Sequence, residues 1–126
     1  MSDAYQELTE IEQVEAVMAE DAGPVVIDFW STTCGPCRAM APHFAHVAEQ
    51  FEGSAVRFVK VQTDAHPELA APFHIRAVPT LMFVHDGKIL DAVVGAMNAP
   101  RLAKKVQWLL NKAEGRGGGL LSRLFG

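Results

Sequence analysis

Cys34 and Cys37 enclose a Gly35-Pro36 dipeptide and are the only two cysteines in a chain of 126 residues. Ahead of them runs a β-prone stretch, Val25-Val26-Ile27-Asp28-Phe29-Trp30, and after them apolar residues recur at helical spacing, so the first sulfur falls at a helix N-terminus. Unpaired amides and the positive end of the helix dipole favour a thiolate there. Cys34 is therefore the expected nucleophile. Cys37, one turn into the helix, is near enough to attack a mixed disulfide on Cys34 and release the partner reduced.

Two plainer readings of the pair are weaker. A stapling disulfide across four residues removes only about 2 kcal/mol of chain entropy, the low end of what such bonds contribute. A zinc site needs two further ligands, and the near candidates are His43 and His46. Six residues at about 100° each carry His43 about 240° around the helix from Cys37, so the two face apart. No metal ligand set is expected.

Asp28 is a carboxylate in the middle of an apolar strand, where desolvation raises its pKa and leaves it able to exchange a proton. Lys60, equally isolated within Phe58-Val59-Lys60-Val61, is the partner that limits the cost of burying it. A purely structural buried ion pair is the other reading of these two residues, and the two readings are compatible.

The elements that must position these groups follow from periodicity and turn residues. Tyr5 to Leu8 reads as a short strand, and a Thr9/Glu12 capping box opens a helix over about 10 to 20. Val25 to Trp30 is a continuous β-prone run, expected as a central parallel strand covered on both faces. Met40, Phe44, Val47, Ala48 and Phe51 describe one face of a long helix that Pro42 interrupts and should kink. Val56 to Gln62 is a strand, His66 to Phe73 a short helix, and Thr80 to His85 a strand. Asp86-Gly87 marks a hairpin into Ile89 to Val94. A last helix over about Ala99 to Asn111 turns Leu102, Val106, Leu109 and Leu110 inward. The result is an α/β chain with a single mixed central sheet of about five strands and helices on both faces.

At 13.7 kDa, with 49% hydrophobic and 21% charged residues, the chain suits one domain whose core needs no disulfide framework. Met1 to Gln6 carries no basic cluster, no apolar run follows, and no stretch of eighteen apolar residues occurs, so secretory and membrane-spanning readings fall away. The net charge of −4 is unevenly laid out. Eight acidic residues and no Lys or Arg lie in 1–30, while six basic residues against Glu114 alone lie in 101–126. With an acidic chain and no aromatic residues interleaved on a basic strand, nucleic acid is a poor partner.

The segment Phe29-Trp30-Ser31-Thr32-Thr33-Cys34-Gly35-Pro36-Cys37-Arg38 resembles the active-site signature of the thioredoxin family. Asp28 six residues before Cys34, Pro42 five after Cys37, Lys60 in the next strand, Ile75-Arg76-Ala77-Val78-Pro79-Thr80 and Val94-Gly95-Ala96 extend the match from about Tyr5 to Leu110. The resemblance implies a thioredoxin-like fold and a protein disulfide reductase with no cofactor beyond the Cys34–Cys37 disulfide. It assigns the proton of the resolving Cys37 to Asp28. It implies a cis Val78-Pro79 bond packed against the disulfide, keeping metal away and leaving Val78 backbone groups to pair with an extended substrate. Trp30, Gly35, Pro36, Ala77, Val78, Gly95 and Ala96 then form an apolar docking rim, although Trp30 alone suits a core position equally well.

The Gly35-Pro36 dipeptide resembles the reducing end of the family's range, which spans about 150 mV, or roughly 7 kcal/mol for two electrons. The implied setting is a cytoplasm that keeps thiols reduced. Expected partners are disulfide-containing client proteins and a thioredoxin-reductase-like flavoprotein. One departure stands out: Thr33 occupies the position where the family usually has a second tryptophan, which bears on partner choice and docking strength.

The domain is expected to span 1–112, followed by a Gly-rich linker at 113–119 and a short amphipathic peptide at 120–126. In that peptide Leu120, Leu121, Leu124 and Phe125 would share one helical face. Disorder, docking on a partner and packing onto a domain are its open fates. An alternative function is therefore a binding or scaffold module, or a dedicated reductant of one client, that uses the C-terminal peptide for docking.

Overall fold

The structure is a computed structural model and describes residues 4–115. Five strands form one mixed sheet in the order β1-β3-β2-β4-β5: β1 Tyr5–Leu8, β2 Pro24–Trp30, β3 Arg57–Gln62, β4 Thr80–His85 and β5 Lys88–Val94. Four helices complete it: α1 Ile11–Val17, α2 Gly35–Gln50, α3 Pro67–Ala70 and α4 Ala99–Ala113, with a 3-10 turn at Ala71–Phe73 extending α3. The element order is the expected one. The linker expected at 113–119 is corrected at its start, because α4 continues through Ala113 and is capped by Glu114, one residue past the expected domain boundary; 116–119 and the peptide expected at 120–126 lie outside the described residues.

Strand β2 is central but only half parallel. It pairs parallel with β3 and antiparallel with β4, because the β4–β5 hairpin brings β4 alongside it in the opposite direction. Every β2 residue but Trp30 is buried, Asp28 included, as expected of a strand covered on both faces. Alternation divides the strand between two cores. Val26 meets Phe44, Val47, Phe58, Leu102 and Val106 on the side of α2 and α4, whereas Val25, Ile27 and Phe29 meet Val14, Val17 and Leu69 on the side of α1 and α3. Edge strand β5 is largely exposed.

Helix α1 is shorter than its periodicity suggests, and its cap is displaced. Gln13, rather than Glu12, reaches back to accept from the Thr9 and Glu10 amides at 2.8 and 3.0 Å, which makes Glu10 the N-cap. The far end stops at Val17 because the hairpin packs on it. A Cβ on Gly87, at φ 79°, would lie 2.5 Å from the Met18 carbonyl oxygen. Asp86 ties the same corner to Gly23, accepting its amide at 2.8 Å.

Helix α2 carries the cysteines. Cys34 is its N-cap, and Pro36 falls in the first turn, where a missing N–H leaves no bond unmade. One helix runs through Pro42 because Met40, Phe44, Val47 and Ala48 anchor both sides of it in the core.

Candidate active site

The turn after β2 sets where α2 begins. The Thr32 hydroxyl and amide both donate to the Asp64 carboxylate, and Arg38 Nη1 donates to the Thr32 carbonyl at 3.0 Å. The Thr32 hydroxyl bond is the main reason the Asp64 carboxyl is held below the ordinary range for aspartate. Ser31 Oγ accepts the Thr33 amide at 3.3 Å, and the Cys34 amide donates to the Ser31 carbonyl. This network delivers Cys34 to the helix start in extended conformation, half-buried, with Cys37 buried one turn on.

Cys34 and Cys37 are disulfide-bonded, with their Cα atoms 5.2 Å apart. The Cys37 backbone N–H donates to Cys34 Sγ at 3.1 Å. An amide at the positive end of a sixteen-residue helix is thus aimed at the outer sulfur, and the same contact stabilises a thiolate once the bond is reduced. The carbonyl oxygen of Val78 lies 3.6 Å from that sulfur.

Val78 belongs to a loop built to face the disulfide. The Val78-Pro79 peptide is cis, Thr80 Oγ1 donates to the Ala77 carbonyl at 2.6 Å, and the Gly95 amide donates to the Pro79 carbonyl at 2.8 Å. Gly95 adopts φ 110°, a conformation open to glycine. These bonds hold Val78, Pro79 and Gly95 together, with the Val78 carbonyl beside Cys34. Ala77 and Val78 also line a cavity of about 400 Å³ with Thr63, His74 and Arg76. Ala96 lines a smaller one of about 170 Å³ against Met40 and His43. Gly35, Pro36, Ala77 and Ala96 are exposed, and Trp30 is half-buried, neither fully core nor fully rim.

Beneath lies the charged pair. Asp28 is 1% exposed, its Oδ2 is 4.0 Å from Lys60 Nζ, and its Oδ1 has no hydrogen-bond partner among the described residues. Burial pushes the carboxyl up to about 7, against the pull of the Lys60 charge and with a smaller push from Glu7. Lys60 is itself buried, its ammonium 4.9, 5.5 and 5.6 Å from the ring centres of Trp30, Tyr5 and Phe44. Three rings and one carboxylate replace its water.

Several residues of the site region escape a reading by motif. Glu7 accepts the Trp30 indole N–H at 2.8 Å, Asp64 and Arg38 hold Thr32, and Met40 Sδ and His43 Nδ1 accept the Met97 and Ala99 amides at 3.4 and 3.0 Å. Apart from the local Arg38–Thr32 contact, each bond joins segments distant in the chain, and only the sheet register and helix packing reveal it. His43 thus serves the start of α4. Among the described residues no group of three or more His, Cys, Asp or Glu side chains is placed to hold a metal ion, and no helix is long and apolar enough to cross a membrane.

A family model described as Thioredoxin matches residues 5–108. Thioredoxin 1 of Nostoc sp. is 43% identical over 84 residues, which cover 67% of this chain and 78% of the relative. Thioredoxin 1 of Synechococcus elongatus is 45% identical over a stretch of the same length and coverage. Among solved structures, the Malassezia sympodialis thioredoxin Mala s 13 is similar at a TM-score of 0.71 and 35% identity, covering 86% of this chain and 90% of that one. The oxidised form of mitochondrial thioredoxin 3 from Saccharomyces cerevisiae is similar at 0.71 and 31%, covering 82% and 94%.

Proposed function

The chain belongs to the thioredoxin family and is a protein-disulfide oxidoreductase acting by dithiol–disulfide exchange, and from that premise we propose how its residues divide the work. The Cys34 thiolate attacks one sulfur of a client disulfide, giving a mixed disulfide and a first client thiolate. Asp28 takes the proton of Cys37, and the Cys37 thiolate attacks Cys34 Sγ. The Cys34–Cys37 disulfide forms and the second client thiolate leaves, so two electrons have passed to the client. The observation that carries this assignment is the Cys37 amide donating to Cys34 Sγ at the N-cap of α2.

Lowering a thiol pKa from about 8.5 to about 7 raises its thiolate fraction at pH 7 from roughly 3% to roughly 50%. Intrinsic nucleophilicity falls about fivefold over that shift, so the net rate gain is only about threefold. The greater effect of the helix start is on redox poise, since every stabilisation of the thiolate favours the reduced form over the disulfide. Lys60 limits the cost of the Asp28 charge. Trp30, Gly35, Pro36, Ala77, Val78, Gly95 and Ala96 form the docking rim, and Pro79 presents the Val78 backbone to an extended client.

A thioredoxin-reductase-like flavoprotein would recharge the disulfide, and a reducing cytoplasm is the setting that suits a Gly35-Pro36 dithiol. A tether that starts after the α4 C-cap at Glu114 and runs to 119, and a separate peptide at 120–126, complete the organisation. The test is covalent trapping. Cys37→Ser should accumulate mixed disulfides with client proteins from a lysate, whereas Cys34→Ser should trap none and should abolish reduction of insulin disulfides. Trapping by the Cys34→Ser variant instead would reverse the assignment of nucleophile and resolver.

A further inference from the structure

Glu7, Lys60 and Asp28 are register partners on three neighbouring strands, β1, β3 and β2. Partners in register point to the same face of a sheet, so the three charges form a row, negative, positive, negative, under α2. Trp30 follows Asp28 by two residues and shares that face. Its indole N–H nevertheless donates to Glu7 Oε2 at 2.8 Å, two strands away. Neighbouring strands are about 4.8 Å apart, so this bond reaches across the full width of β3. Lys60 lies beneath the crossing, with its ammonium 4.9 Å from the Trp30 ring centre and 4.0 Å from Asp28.

We propose that Glu7 is a positioning residue for disulfide exchange, its carboxylate fixing the Trp30 indole across Lys60 so that the ring is presented to clients in one orientation. The proposal rests on the docking role given to Trp30 above. A half-buried indole with no tie can turn about two side-chain torsions. An acceptor at the edge of its ring selects one orientation, and Lys60 stacking on the ring face supports the same one. Glu7 is exposed and on a short edge strand, so its own contribution to stability is small and its substitution leaves the core intact.

The orientation matters to a macromolecular client that covers the rim, not to a small disulfide that reaches only Cys34. Glu7→Leu removes the acceptor, while Glu7→Gln keeps an acceptor oxygen and removes the charge. The experiment measures second-order rate constants of the reduced full-length protein with insulin disulfides and with 5,5′-dithiobis(2-nitrobenzoic acid), beside hydrogen exchange of the Trp30 indole N–H by NMR. Glu7→Leu should slow insulin reduction about fivefold, the order expected for losing one hydrogen bond, and should leave the small disulfide unaffected. Its indole proton should lose protection. Glu7→Gln should restore both the insulin rate, to within about twofold, and the protection.

Retained protection and an unchanged insulin rate in Glu7→Leu would overturn the proposal. So would equal slowing of both disulfides, or a Glu7→Gln variant as impaired as Glu7→Leu. Trp30→Phe separates the layers of the argument. If it leaves the insulin rate unchanged while Glu7→Leu loses indole protection, the tie exists but the docking role of Trp30 is wrong, and the proposal falls with that role.

Discussion

Burial of a carboxyl group to 1% exposed, opposed by one counter-charge at 4.0 Å, raises the Asp28 pKa to about 7, which sets both a stability slope and a kinetic one. The unfolded chain releases this proton near 3.8, whereas the folded chain keeps it to about 7. The folded state therefore binds more protons across that window. Its stability falls as pH rises from about 4 to about 7 and is level beyond. Between pH 5 and pH 8 Asp28 should lower stability by about 3 kcal/mol, and Asp28→Asn should remove that difference in urea melts at the two pH values. In the reaction, the ionised carboxylate is the form that accepts a proton. Release of a mixed disulfide should therefore accelerate as pH rises through about 7, and Asp28→Asn should flatten the rise and slow release at pH 8 by about tenfold or more. Stopped-flow measurement of client release gives the profile. Lys60→Met removes the charge that holds the carboxyl down, so the same midpoint should move above 7.

At the scale of elements, the site depends on where helices begin and end. The start of α2 was legible because Gly35-Pro36 follows a buried strand and a half-turn of small hydroxyl residues, all local signals. The end of α1 was not, since the periodicity of Val14, Val17 and Met18 runs on toward Glu20 and the Gly87 backbone, seventy residues away, occupies the space. The cap is displaced as well: Thr9 and Glu12 have the right types, but Gln13 has the reach and the register. Gly87→Ala tests this corner. With φ at 79° and a Cβ that would fall 2.5 Å from the Met18 carbonyl oxygen, the substitution should cost more than about 1 kcal/mol in a thermal melt. It should leave the insulin rate of the folded protein unchanged, because the corner lies at the opposite end of β2 from Cys34.

For the whole molecule, the two cores on either face of one sheet explain why the strand order was readable as a class and not in detail. Largely apolar, β-prone runs in β2, β3 and β4 mark strands covered on both sides, and alternating helices supply the cover. The order β1-β3-β2-β4-β5 and the residue registers depend on long-range pairing that no local pattern encodes, which is why Asp28 and Lys60 could be matched as isolated charges while Glu7 could not be joined to Trp30. Everything that meets at the disulfide, namely the α2 start, the Val78-Pro79 loop and Gly95, lies at the same end of β2 and β4. Deleting residues 116–126 should accordingly leave the insulin rate unchanged.

The central claim is that Cys34 is the ionised, reachable sulfur and Cys37 the sheltered one. Alkylation of the reduced protein by iodoacetamide across pH 5 to 10, read by peptide mass spectrometry, measures both properties at once. Modification should fall on Cys34, with a midpoint well below the roughly 8.5 of a free thiol, and with little label on Cys37. A midpoint near 8.5, as in a free thiol, or equal labelling of the two cysteines, would contradict the account.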